Sequence, residues 1–219
     1  MKAGSPVRMD VPGVALGWVL ARGCSAAGAP EKLAEEVSRA VAAVAGAADS
    51  DASKARRAAV RDLLRHGAYK PTGRGKPASE YLLNAALEGR FPAISTLVDI
   101  NNLASLESLL PISLVDLGLA GTEEFALRRG RPGEAYVFNP SGQVLDLGDL
   151  LLLSRLPQDL PCATPVKDCQ QTKTHEGTAG VLGVVYAPAA LAAEATATAG
   201  RMARLLETHC GARVTWGGL

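Results

Sequence analysis

At Pro111 the apolar period of this chain changes, and that change restricts the possible folds more than any other feature. Upstream, Leu103, Leu106, Leu109 and Leu110 recur at the spacing of one helix face until Pro111 ends the pattern. Short runs of period two follow, at about residues 112 to 117, 123 to 129, 134 to 138, 143 to 147 and 150 to 154, separated by Gly, Pro, Asn and Asp. Helices grouped early and strands grouped in the middle place the chain in the α+β class.

The flanking segments fit this reading. Residues 14 to 22 read as a strand with Val14, Leu16, Trp18 and Leu20 on one side. "APEKLAEEVSRAVAAVAGA" gives a helix with Pro30 at its first position and Leu33, Val37, Val41 and Val44 on one stripe. "DSDASKARRAAVRDLLRHG" gives a second, with Val60, Leu63 and Leu64 toward the core, Arg57, Arg61 and Arg65 outside, and Gly67 closing it. "KPTGRGKPASEYLL" is a loop that runs at Pro77 or Ser79 into a helix ending near Glu88. "VLGVVYAP" predicts a strand, "AALAAEATATAGRMARLLETHCG" a helix and "ARVTWGG" a last short strand. Residues 155 to 180 stand apart, because they are polar, contain three prolines and show no period; a loop of that length is usually functional or disordered.

A chain of 219 residues buries roughly 70% of its unfolded surface, enough for one domain over residues 1–219. With 47% hydrophobic and 21% charged residues and a formal charge of +1, the composition is that of a soluble globular protein. The average conceals a local excess: residues 54 to 76 carry eight Lys and Arg against the single acid Asp62, a net +7. Its arginine face, with Arg74 and Lys76 in the following loop, is the candidate surface for RNA phosphates. Cys24, Cys162, Cys169 and Cys210 form no C-x-x-C pair and no disulfide framework, which predicts a reducing, cytoplasmic compartment. The N-terminal apolar run alternates like a strand rather than a signal peptide, and no run reaches the roughly 20 apolar residues of a membrane span.

The familiar catalytic signatures are missing. "GRGK" has the wrong spacing for a phosphate-binding loop, there is no G-x-S-x-G or H-E-x-x-H, and His66, His175 and His209 fall at two helix ends and in a polar loop, so neither a metal nor a cofactor is expected. Two stretches remain. "KDCQQTKTHEGT" concentrates Lys167, Asp168, Gln170, Gln171, Thr172, Lys173, Thr174, His175 and Glu176, groups able to hold a carboxylate, an amine or a ribose. "LVDINNLASLESLLPISLVDLG" sets Asp99, Asn101 and Asn102 between two apolar segments, where polar groups must either start a helix or line a pocket.

From "GRGKPASEYLLNAALEGRFP" through the "VDINN" turn, the "LLPISLVD" strand, the "RRGRPGEAYVF" hairpin and the late "VLGVVYAP", about residues 70 to 188, the chain resembles the B-three/B-four domain of the phenylalanyl-tRNA synthetase β subunit and its free-standing relatives. The order and spacing of all four motifs agree. The resemblance implies a three-layer domain with a mixed, sandwich-like sheet flanked by helices, which in the synthetase binds the 3′ end of a mischarged tRNA and hydrolyses the tyrosyl ester. The family's pocket holds a Thr-Asn pair after the turn aspartate; here those positions are Asn101 and Asn102. The family's histidine is Ser113 here, its glutamate falls at Leu182 or Gly183, and its arginine before the turn is missing, with Pro92 in that place and Arg90 nearby.

The resulting expectation is a pocket for an amino acid or aminoacyl-adenosine formed by Asn101, Asn102, Ser113, Asp168, Gln171, Thr172 and Lys173. Asp99 would fix a helix start, with the asparagines at that helix's N-terminus, and the basic segment with Arg57, Arg61, Arg65, Arg74 and Lys76 would touch tRNA. Trans-editing deacylation of a mischarged tRNA is the first reading. A non-catalytic amino-acid-binding module without RNA is the alternative.

Overall fold

The computed structural model describes residues 4–9, 11–25 and 30–219; Asp10 and Ala29, at the approaches to the first long strand and first helix, lie outside them. In chain order the elements are strands β1 (Val7–Met9) and β2 (Val14–Arg22), helices α1 (Pro30–Ala47), α2 (Asp51–Leu64), α3 (Ala78–Leu87) and α4 (Thr96–Ser108), strand β3 (Ile112–Asp116), the short helix α5 (Leu117–Ala120), strands β4 (Phe125–Arg129), β5 (Ala135–Val137), β6 (Val144–Asp146), β7 (Leu151–Arg155), β8 (Leu160–Ala163) and β9 (Gly180–Pro188), helix α6 (Ala192–Cys210) and strand β10 (Arg213–Gly218).

The central sheet has the order β10-β2-β9-β3 and is antiparallel throughout. Its two middle strands pair along their whole length, with Val14 opposite Pro188 and Arg22 opposite Gly180. Successive side chains on a strand leave from opposite faces, and here both faces are covered. Leu16, Trp18, Leu20, Leu182, Val184 and Tyr186 pack on one side against a second sheet. Val19, Ala21, Val181, Val185 and Ala187 pack on the other against helices. Alternation along β2 predicted only the first of these faces; the second is apolar as well because helix α6 covers it.

That helix comes very close. A Cβ built on Gly17 would lie 2.0 Å from the carbonyl oxygen of Ala195, so only glycine lets the helix backbone approach there. Ala195, Ala199, Met202 and Ala203 supply the small apolar surface that fills the gap. Helices α1 and α4 add Leu33, Ile100, Leu103 and Leu106 to the same layer.

The second sheet has the order β1-β4-β7-β8 and is mixed, since β1 runs parallel to β4 while the other pairs are antiparallel. Phe125, Leu127, Leu151 and Leu153 project from it into the space between the sheets. The fold is therefore α+β, with helices on one face of the central sheet and a mixed sheet on the other. Two strands escaped the sequence pattern. β1 is three residues long, and β8 lies in the polar segment 155 to 180, where Pro161 is tolerated at a sheet edge because no further strand needs its missing N–H.

Helix α4 begins earlier than expected. Ser95 is its N-cap, with its hydroxyl accepting from the Val98 N–H at 3.5 Å, and Asp99 reaches back from the first turn to accept the Ile94 N–H at 2.8 Å. Asp99 does hold the helix start, but Asn101 and Asn102 lie in the second turn of the helix rather than at its N-terminus.

Candidate functional site

Strand β3 is an edge of the central sheet, paired with β9 on one side only. Its outward N–H groups need partners from elsewhere. The one at Leu114 donates to Asp168 Oδ2 at 3.1 Å, which draws the segment after β8 against the strand. That segment is firmly built. Thr164 Oγ1 donates to the Lys167 carbonyl at 2.7 Å and accepts the Lys167 N–H at 3.0 Å, while the Tyr136 hydroxyl donates to the same carbonyl at 2.5 Å. Further on, the Thr178 hydroxyl donates to the buried carboxylate of Asp116.

Between this segment, β3 and α4 lies a chamber of about 380 Å3. Val98, Asn101 and Asn102 follow the i, i+3, i+4 spacing of one helix face and form one wall. Ile112 and Leu114, two apart on β3, form another, and Val166, Lys167, Asp168, Lys173 and Thr174 a third. A second hollow of about 870 Å3 adjoins it and shares Ala78, Asn101, Asn102, Ile112, Val166 and Lys167. This outer chamber is aromatic and basic, with Tyr69, Tyr81, Phe138 and Arg74 in its lining.

The loop before α3 is shaped for that role. The Tyr69 hydroxyl donates to the Gly75 carbonyl at 2.7 Å and the Tyr81 hydroxyl to the Gly73 carbonyl at 3.0 Å, holding Arg74 between them. Gly73 has φ +52, which favours glycine, and a Cβ on Gly75 would meet the Tyr69 hydroxyl at 2.9 Å. Burial pushes the Tyr69 phenol up to about 12, so it stays a protonated donor. Large apolar groups stand exposed at the rim: Tyr81 at 42%, Val144 at 63% and Ile94 at 68%. Exposed apolar groups around a concave surface are a common feature of binding sites.

The charges inside are arranged unevenly. Lys167 Nζ sits 4.0 Å from the centre of the Phe138 ring, and burial together with Arg74 and Lys173 lowers its affinity for a proton. Lys173 Nζ donates to the Phe138 carbonyl at 2.6 Å. Asp168 keeps partial exposure as a residue, but its Oδ1 is closed to solvent and has no hydrogen-bond donor. Burial pushes its carboxyl up to about 6, against the pull of the Ser113 hydroxyl, the Leu114 N–H and Lys173. Asn101 Oδ1 is likewise buried without a donor.

Of the pocket residues expected from sequence, the structure brings Asn101, Asn102, Asp168 and Lys173 together around one chamber. Ser113, Gln171 and Thr172 are not part of the lining. Ser113 points to the opposite side of β3 from Ile112 and Leu114; its hydroxyl donates to the Thr164 carbonyl at 3.1 Å and accepts from Tyr186 at 3.0 Å. The buried Thr172 hydroxyl donates to the Cys162 carbonyl at 3.0 Å, fixing the fold of the segment from beneath. Gln171 is exposed. Sequence reasoning missed Ile112, Leu114, Tyr69, Tyr81 and Phe138, and the available signal was the concentration of tyrosines and glycines between residues 67 and 81; Lys167 and Thr174, noted in the polar segment, do line the cleft.

The basic helix face is largely engaged within the protein. Arg57 donates to the carbonyls of Ser53 and Ala48, Arg61 makes a two-pronged pair with the buried carboxylate of Glu80, and Arg65 pairs with Asp62. Together with Lys54 they border a shallow surface depression that shares no lining residue with the two chambers. Of the five residues expected at RNA, Arg74 borders the outer chamber; Lys76 lies two residues further along the same loop, outside the lining. Among the described residues no His, Cys, Asp and Glu cluster could hold a metal ion, and no helix is long and apolar enough to cross a membrane.

Compared with protein-family models and with curated proteins, the chain matches none significantly.

Proposed function

We propose that the cleft binds the aminoacylated 3′ end of a tRNA, with the aminoacyl group in the inner chamber and the terminal adenosine with its phosphate in the outer one. The observation that carries this reading is the pairing of two adjoining chambers of different chemistry across Asn101, Asn102 and Lys167. The outer chamber offers aromatic faces for a base and two cations, Arg74 and Lys167, for a phosphate. The inner one offers apolar walls with a few polar groups, the usual composition of a small-ligand site. The resemblance to the synthetase editing domain supports the same assignment and supplies the reaction, hydrolysis of the aminoacyl ester by a water held beside the bound end.

A second reading is favoured by the basic helix. With Arg57, Arg61 and Arg65 each paired with a group of the protein's own, Arg65 at the exposed surface, fewer free cations remain for an acceptor stem, as suits a module that binds a free amino acid and no RNA. One experiment separates the two. Mischarged tRNAs are screened for ester loss while free amino acids are tested for thermal stabilisation of the protein. Ester loss supports the tRNA reading, stabilisation by amino acids alone supports the second, and neither effect refutes both.

A further inference from the structure

We propose that Asp168 and Asn101 form an ammonium-binding pair, so that the inner chamber selects ligands with a free primary amine, an α-amino acid or its ester. The inference rests on the reading that a small ligand occupies this chamber, and it holds equally for the tRNA-bound and the free amino acid. Among the described residues, the buried side-chain oxygens and nitrogens without a hydrogen-bond partner include two whose residues line the chamber, Asp168 Oδ1 and Asn101 Oδ1. Both are acceptors. A chamber that leaves two acceptors unpaired is complementary to a donor, and an ammonium carries three N–H donors and a charge opposite to that of the carboxylate.

The groups around Asp168 leave that role open. The Leu114 N–H is bonded to Oδ2, and the Ser113 hydroxyl and the Thr164 N–H also favour the ionised carboxyl. The Ser113 hydroxyl, however, is given at 3.1 Å to the Thr164 carbonyl, the Tyr186 hydroxyl to Ser113 and the Tyr136 hydroxyl to the Lys167 carbonyl. The Cys162 and Cys169 thiols are both raised by burial and remain neutral. Lys173, the cation that acts on Asp168 at longer range, is anchored to the Phe138 carbonyl, and Lys167 lies over the Phe138 ring. Those two lysines border the same chamber and suit the other end of an amino acid, its carboxylate or ester carbonyl. A zwitterion would thus lie with its ammonium on Asp168 and its carboxyl toward the lysines.

A dependence on pH follows. The ammonium pairs with the ionised carboxylate, and burial holds the Asp168 proton up to about 6, so binding has to expel that proton in acid solution. Affinity then falls as pH drops below about 6, approaching a tenfold loss per pH unit.

The test uses the full chain in calorimetric titrations with α-amino acid methyl esters, their N-acetyl counterparts and the trinucleotide CCA. At least one free-amine ester binds, its N-acetyl form binds about 10- to 100-fold more weakly, and Asp168→Asn weakens the free-amine ester by a similar factor while leaving the N-acetyl form unchanged. Circular dichroism confirms that the variant is folded. Equal binding of free and N-acetylated esters overturns the ammonium pair. If CCA still binds in that case, the ribonucleotide reading stands without it. Amine-dependent binding with no affinity for CCA upholds the pair and removes the ribonucleotide. Absence of binding by every probe overturns both.

Discussion

Replacing Asp168 with asparagine removes a charge that the folded protein holds at a cost, and the cost can be worked out from its proton affinity. The carboxyl ionises near 3.8 when exposed and near about 6 in the fold. Between those values the folded state binds more protons than the unfolded one, so stability falls as pH rises through the window and the full penalty is present above about 6. A shift of about two units, at 1.36 kcal/mol each, amounts to roughly 3 kcal/mol at neutral pH. Asparagine keeps an oxygen to accept the Leu114 N–H and carries no charge. Urea unfolding of both proteins should show the stability gap moving in favour of Asp168→Asn by about 2 kcal/mol between about pH 4.5 and about pH 7.5. Any hydrogen bond lost or gained by the amide shifts the gap by the same amount at every pH and leaves its slope intact. A gap independent of pH would show that Asp168 is not desolvated, and the account of the chamber would fail with it.

Gly17→Ala sets a methyl group against the Ala195 carbonyl and should cost about 3 kcal/mol or more in denaturant unfolding, since backbone on both sides must move. Gly46→Ala, in an exposed part of α1 with nothing within 4 Å of the new Cβ, should have the opposite sign and stabilise by about 0.5–1 kcal/mol in the same assay. Arg61→Ala strands the buried Glu80 carboxylate and should cost about 1–3 kcal/mol. The double change Arg61→Ala, Glu80→Leu should recover much of that loss in a mutant cycle; an additive cycle would show the pair to be idle.

The parts of the fold that could be read from sequence are those whose signal is local. Leu103 and Leu106 mark a helix, although it ends at Ser108 with Leu109 in the left-handed region at φ 58 instead of running on to Pro111, and the alternation around Phe125 and Leu127 marks a strand, because each pattern is set by its own segment's burial. The site was legible only halfway. Asn101 and Asn102 are polar residues on a helix otherwise buried on most sides, which is why they drew notice. Ser113 could not be placed, since β3 is buried on both faces and its sequence does not say which face meets the chamber. Arg61 was assigned to solvent by its spacing from Arg57 and Arg65, but the partner that draws it inward, Glu80, lies on another helix 19 residues away. The hydroxyl of Thr172 was counted as a ligand group for a similar reason: its acceptor, the Cys162 carbonyl, belongs to a strand that Pro161 hid.

The pairing of β2 with both β9 and β10 sets an order of events in biosynthesis. β2 ends at Arg22, and both of its neighbours begin at Gly180 or later. As the chain leaves the ribosome, this apolar segment has no sheet partner until β9 has been made, a delay on the order of ten seconds or more at about 5–20 residues per second. Contacts of such large sequence separation also form slowly once available. During that interval Val14 to Ala21 is an unpaired strand with apolar side chains on both faces, the kind of segment that chaperones hold. Nascent chains stalled before Gly180 should therefore be protease-sensitive throughout β2, and emergence of β9 and β10 should bring protection of all three strands in a single step.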